Sequence, residues 1–227
     1  GIHIRAASCH KAGMRRLLLL AAALFAASLA QAQDSPPPDG FPVWLESYRQ
    51  QAAARGLPRE WLDLALADAR YLPRVVELDR HQPDDSGARN VFADYLARQL
   101  TSERIASGRT RAAANREALL RVGRETGVAP EILVGIWGME TSYGRVLGGF
   151  DLPSAIATLA YDGRRATLFT GELDALVRLV GEQGVPRRQL KGSWAGAFGQ
   201  AQFLPSSFLA YAKDGDGDGR IDLWNSS

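Results

Sequence analysis

The run Pro130-Glu-Ile-Leu-Val-Gly-Ile-Trp-Gly-Met-Glu140-Thr-Ser-Tyr-Gly144 decides how the chain is read. Pro130 suits the first turn of a helix, where its missing N–H costs nothing. Eight uncharged residues separate Glu131 from Glu140, and Ile132, Ile136 and Glu140 fall at i, i+4 and i+8. That spacing puts Glu140 on one helical stripe with two isoleucines. A carboxyl held among Ile, Trp and Met is poorly solvated when charged, so its pKa is expected to be raised, as a general acid requires. The same spacing fits a plainer arrangement, in which the helix stops at Gly144 and Glu140 reaches water from a frayed end.

Around this helix the pattern stays helical. Val43–Arg55 carries Trp44, Leu45 and Tyr48 at helical spacing and stops at Gly56-Leu57-Pro58; Pro58–Ala69 follows, as in a short helical hairpin. A turn-rich segment, His81–Gly87, precedes Asn90–Ser107, where Phe92, Tyr95, Leu96, Gln99 and Leu100 keep to one face. Thr110–Thr126 predicts another helix ended by Gly127, and Leu168 to Val180 marks a further one between Gly163 and Gly184. No useful length alternates as a half-buried strand does. The fold class expected is all-α.

The scarce residues narrow the chemistry. The chain has 227 residues, 27 Lys and Arg against 25 Asp and Glu, three histidines and one cysteine. His3, Cys9, His10 and four cations lie before residue 17, ahead of the uncharged run Leu17–Ala30. A basic start at Met14-Arg15-Arg16, an apolar core too short to span a bilayer and the small-x-small site Ala30-Gln31-Ala32 predict a cleaved secretory leader over 14–32. Residues 1–13 are read as upstream translated sequence and 33–40, rich in Pro, as a linker. Cleavage leaves 23 cations against 25 anions, a formal charge of −2, with His81 alone and no cysteine. That excludes a Cys nucleophile, a dithiol pair and a Cys/His zinc site, and leaves carboxylate chemistry. A near-neutral mature charge offers no footprint for nucleic acid. No lipid-attachment cysteine sits at the cleavage site, so a soluble periplasmic or secreted protein is expected.

Two stretches carry a resemblance. Gly138-Met-Glu140-Thr-Ser-Tyr-Gly144-Arg and Leu190-Lys-Gly-Ser193-Trp-Ala-Gly-Ala-Phe-Gly-Gln200-Ala-Gln202-Phe-Leu-Pro-Ser-Ser207 resemble the B-type family of lytic murein transglycosylases, over nearly all of Phe41–Ser227. The resemblance implies a goose-type lysozyme-like helical domain over 41–227. It also implies cleavage of the β-1,4 bond between N-acetylmuramic acid and N-acetylglucosamine in peptidoglycan. Glu140 would be the single acid/base and the muramyl C6 hydroxyl the nucleophile, closing a 1,6-anhydro ring. No catalytic cofactor is implied, and the partners implied are glycan strands, with cell-wall synthesis complexes, for a monomer. Ser193 and Gln202 match positions lining the cleft. Tyr95 matches an aromatic that packs on sugar rings, and Arg164 and Arg165 match a basic pair near the peptide-bearing side. Spacing alone equally fits Tyr95 as core and the arginines as a solvated pair. Gln200 stands at a position expected to vary. Two rival functions are a hydrolytic muramidase and a calcium-dependent peptidoglycan-binding protein without turnover.

Asp214-Gly-Asp216-Gly-Asp218-Gly219-Arg-Ile-Asp222-Leu-Trp-Asn225 matches the start of an EF-hand loop. Carboxylates fall at positions 1, 3, 5 and 9, glycine at the tight turn, and Arg220 offers its carbonyl. The alternative is a flexible acidic linker. Asn225 stands where the bidentate Glu belongs. The family resemblance implies a slightly longer loop, with its last acidic ligand after Ser227. A structural calcium ion and a catalytic domain cut short at its C-terminus are therefore expected.

Overall fold

The computed structural model describes residues 36–81 and 91–224. The upstream segment, the leader, the first linker residues, most of the turn-rich stretch after His81, and Asn225 lie outside these residues. Within them, ten α-helices and one sheet of two two-residue strands confirm the all-α expectation.

The centre is a helix that the amphipathic pattern does not reveal, α8 (Leu152–Asp162). Every residue from Leu152 to Ala160 is buried, so it has no polar face. Asp151 caps it by accepting the Ser154 N–H at 3.1 Å, Pro153 sits in its first turn, and Gly163, at φ 91°, ends it. Helices α1 (Phe41–Ala54), α3 (Pro73–Arg80) and α9 (Ala166–Gly181) pack around it, and α2 (Arg59–Leu66) and α10 (Pro205–Tyr211) pack on α9. Leu152, Ile156, Leu173, Leu176 and Leu179 are all at 0% exposure. Each contributes roughly 1.5–3 kcal/mol of burial. The hydroxyls α8 carries inward are used: Ser154 Oγ accepts the Arg70 N–H and Thr158 Oγ1 the Leu72 N–H, both at 3.0 Å, fixing the chain between α2 and α3.

A second group consists of α5 (Ser102–Ala114), α6 (Arg116–Thr126) and α7 (Pro130–Thr141), with α4 (Val91–Gln99) preceding it. Two expected boundaries are wrong here. The single helix expected over Asn90–Ser107 breaks because Thr101 caps a new one, its hydroxyl accepting the Arg104 N–H at 3.2 Å. The helix expected over Thr110–Thr126 breaks at Asn115, whose amide turns back onto the Arg111 carbonyl at 2.9 Å. Phe92, Tyr95 and Leu100, expected on one apolar face, are exposed.

The α8–α9 connection is clasped to α3 by charge. Asp79 is 2% exposed and accepts Arg164 Nε at 2.7 Å and an Arg165 guanidinium N–H. Arg164 also reaches the Asp79 carbonyl at 3.0 Å, and Arg80 pairs with buried Asp162 at 3.2 Å. Burial pushes the Asp79 carboxyl up, but the hydrogen bonds from Arg164 and Arg165 outweigh it and hold the group below the usual range. Asp151 follows the same balance, with Arg187 and Ser154 as its partners. A carboxylate lowered in the folded state stabilises it fully above the unfolded value, near 3.9, and loses that contribution as pH falls through the folded value. Melting temperature is therefore expected to be flat above about pH 5 and to drop below about pH 4. Asp79→Asn is expected to flatten that acid limb while lowering the neutral-pH melting point. An unchanged limb would remove Asp79 from this role.

Candidate active site

Helix α7 ends at Thr141, three residues before Gly144. Ser142, Tyr143 and Gly144 then take φ of 50°, 61° and 80°. Two successive left-handed non-glycine residues are costly, so the turn must be held from outside. Thr141, 1% exposed, accepts the Gly144 N–H at 3.0 Å and donates to the Gln200 carbonyl at 3.0 Å. Tyr143 folds back under the helix: its ring meets Trp137 edge-on at 5.7 Å and its hydroxyl donates to the Arg104 carbonyl at 3.2 Å. A Cβ on Gly138 would lie 2.6 Å from that ring. Arg145 closes the turn, bonding the Ser142 carbonyl and pairing with Glu103, both at 3.3 Å. The E-T-x-x-G-R spacing is thus a mechanical unit, with Thr as clamp, Gly for the left-handed exit and Arg as strap.

Glu140 stands on the last turn of α7 and is exposed. The stripe it shares with Ile132 and Ile136 exists, but that face is open: Ile132 is 56% exposed, Ile136 46% and Met139 52%. The dehydration expected of the carboxyl is therefore not supplied by the described residues. The apolar pattern identified a face without identifying what covers it.

The motif's exit is joined to the second stretch. Strand β1 (Phe150–Asp151) pairs antiparallel with β2 (Lys191–Gly192), Phe150 opposite Gly192. Gly148 lies so close that a Cβ there would be 2.3 Å from the Gly192 backbone. From β2 the chain folds into a tight hairpin. Ser193 donates its N–H to the Ala197 carbonyl at 2.7 Å, its hydroxyl accepts the Ala197 N–H at 3.0 Å, and Phe198 pairs with Phe203. Gln202, at φ 49°, sends its amide to the carbonyls of Gly199, at 3.0 Å, and Leu147, at 3.4 Å. Ser193 and Gln202 are thereby tied to the segment that follows Glu140.

The structure does not bring the other site candidates to that hairpin. Tyr95 lies on α4 and is 40% exposed, so it is not core. Arg164 and Arg165 are not a free solvated pair, because both bind Asp79, and Arg165 lies 4.9 Å over the Phe169 ring. Asp151, the first aspartate after Glu140, is committed to Arg187, at 2.6 and 2.9 Å, and to the cap of α8.

In the acidic loop, oxygens of Asp214, Asp216 and Asp218 lie within 4.8 Å of one another. Asp214 accepts the N–H groups of Gly219 at 2.8 Å and Gly217 at 2.7 Å, which hold its carboxyl below the usual range. Both glycines take left-handed φ, 85° and 79°. Asp222 Oδ1 accepts the Trp224 N–H at 2.7 Å, and Arg121 of α6 bonds the Gly215 carbonyl. Convergent hard oxygens on a Gly-rich turn fit a calcium ion better than a softer metal. A cavity of about 400 Å³ lies between this loop and α7, lined by Ile136, Trp137 and Gln200 among others.

Comparison with known proteins identifies relatives of this chain. A family model described as Transglycosylase SLT domain matches residues 40–227. Membrane-bound lytic murein transglycosylase B of Escherichia coli (strain K12) is 37% identical over 177 residues, covering 75% of this chain and 49% of the relative. Among solved structures, the chain is similar to SltB3 from Pseudomonas aeruginosa in complex with NAG-NAM-pentapeptide, with TM-score 0.76 and 39% identity over 82% of this chain and 49% of that one. It is also similar to the Escherichia coli lytic transglycosylase SLT35 in complex with calcium, with TM-score 0.70 and 35% identity over 80% of this chain and 57% of that one. The chain spans about half the length of the curated relative it matches.

Proposed function

Because the chain belongs to the transglycosylase SLT domain family, we propose that it cleaves the β-1,4 bond between N-acetylmuramic acid and N-acetylglucosamine in peptidoglycan, leaving 1,6-anhydromuramic ends. The observation that carries this reading is a carboxyl on a braced turn that has no hydrogen bond or ion pair among the described residues: Glu140 is exposed, while Asp151 is spent on Arg187 and Glu103 pairs with Arg145. A two-carboxylate glycosidase needs a second acid on the opposite face of the sugar. Here the substrate supplies the second partner.

Glu140 gives its proton to the glycosidic oxygen as the bond to C1 breaks, and the leaving sugar departs with that proton. The resulting carboxylate takes the proton of the muramyl C6 hydroxyl as that oxygen bonds C1, which restores the acid and consumes no water. A glycan strand laid along the open face of α7 excludes bulk water from the acid during this exchange. Ser193 and Gln202 line the cleft beside it. The family resemblance would have Tyr95, exposed on α4, pack on sugar rings, and Arg164 and Arg165, whose guanidinium groups already pair with Asp79, face the peptide-bearing side. The ligand named for SltB3 is of this class. Digests of purified sacculi are expected to contain muropeptides one water lighter than hydrolysed ends. Reducing ends alone would assign a hydrolytic muramidase instead.

The enzyme acts in the periplasm as a monomer, after removal of a leader. No helix among the described residues is long and apolar enough to cross a membrane. The loop 214–222 would hold a structural calcium ion through the grouped carboxylates of Asp214, Asp216 and Asp218, with Asp222 and the Arg220 carbonyl as the further ligands that its spacing implies. Bound there, it would neutralise clustered like charge and take no part in the chemistry. SLT35 was solved with calcium. At calcium a hundredfold above its Kd, the full-length protein is expected to gain about 2.7 kcal/mol. The gain is read as a melting shift that Asp214→Asn abolishes. A shift surviving that substitution would place the ion elsewhere.

A further inference from the structure

We infer that Gln200, read from the sequence as a position free to vary, is the positioning residue for Glu140; the inference rests on Glu140 being the acid. Among the described residues nothing bonds the Glu140 carboxyl, so its aim depends on how firmly the last turn of α7 is held. Gln200 holds that turn on both sides. Its Oε1 accepts the Trp137 indole N–H at 2.8 Å, three residues before Glu140 and so its neighbour on the helix surface. Its carbonyl accepts the Thr141 hydroxyl at 3.0 Å, the residue immediately after. Its amide side chain also lies against Gly144, where an added Cβ would come within 2.8 Å of Oε1.

Gln200 is itself anchored. Its N–H donates to the Leu223 carbonyl at 2.7 Å, and neighbouring Gly199 is packed so closely that a Cβ would lie 2.6 Å from the Leu223 side chain. Next to Leu223, Trp224 stacks on buried Phe198 at 4.9 Å. The bracket around Glu140 therefore runs from the hairpin core through one glutamine to Trp137, one turn before the acid, and Thr141, next after it. Residues acting as such a unit respond non-additively to substitution.

The test uses the full-length protein and a defined soluble peptidoglycan glycan. Gln200→Met removes the indole's acceptor at similar volume, and Trp137→Phe removes the donor with Gln200 in place. Misplacing a reacting group by about 1 Å costs on the order of a hundredfold, so each variant is expected to lower kcat by about tenfold to a hundredfold. KM should stay within about twofold, and the double variant should be no slower than the worse single one. Melting points taken alongside separate this from loss of fold, because only positioning lowers kcat in the fraction that remains folded. A kcat within about twofold of the parent for Gln200→Met, a loss confined to KM, or losses that multiply in the double variant would overturn the inference. Glu140→Gln, assayed in parallel, separates the two readings. If it is inactive while Gln200→Met is unimpaired, positioning alone fails. If it is as active as the parent, the assignment of the acid fails and the inference falls with it.

Discussion

Glu140→Gln is expected to lower muropeptide release by between about a hundredfold and ten-thousandfold, the range over which positioned proton transfer contributes to rate. Glutamine keeps the shape and polarity of the side chain and removes only the proton that moves. Glu140 is exposed and carries no described hydrogen bond or ion pair, so the substitution should leave the melting point nearly unchanged, as surface substitutions do. Binding to sacculi, measured by co-sedimentation, should persist. That combination distinguishes an enzyme from a calcium-dependent binding protein, which would lose nothing at this position. Equal release by both proteins would remove Glu140 from the chemistry.

The second large effect concerns stability. Phe198→Ala is expected to cost about 3–5 kcal/mol, the usual loss for deleting a buried aromatic ring. Phe198 is at 0% exposure, pairs with Phe203 across the hairpin, bridges to Gly192 and packs against Phe208 and Trp224. It is the point where the hairpin carrying Ser193 and Gln202 meets the core. Against a typical stability of about 5–15 kcal/mol, such a loss removes a large share. Denaturant unfolding measures it, with Tyr211→Ala, at a 73% exposed site, as a control expected to lie within about 0.5 kcal/mol of the parent. A cost below about 1 kcal/mol for Phe198→Ala would mean that the hairpin is not seated on the core in this way.

How much of this was legible beforehand depended on whether a feature is local. The helical class is a short-range pattern and is found as read; the turn after Glu140 and the cluster of Asp214, Asp216 and Asp218 are equally local features. Helix α8 was not legible because amphipathic periodicity requires a polar face, and a helix buried on all sides has none. The breaks at Thr101 and Asn115 were local signals passed over, a threonine cap and a side chain turned back on its own helix. Ile132, Ile136 and Met139 show the opposite limit, since the spacing around Glu140 fitted both a covered face and a helix end open to water, and these residues leave the face open. Asp79 had a readable signal, a carboxylate sharing a buried helical face with Val75 and Val76, although its arginine partners lie some 85 positions away. The Gln200 bracket joins residues 63 apart in sequence and has no counterpart in spacing.

The central claim is that the muramyl C6 hydroxyl, and not water, attacks C1 after Glu140 protonates the bond. Digestion of purified sacculi in water enriched in heavy oxygen, with mass spectrometry of the released muramyl ends, reads the nucleophile directly. The account predicts anhydro ends carrying no heavy oxygen, lost together in Glu140→Gln. Ends carrying one heavy oxygen each would contradict it and identify water as the attacking group.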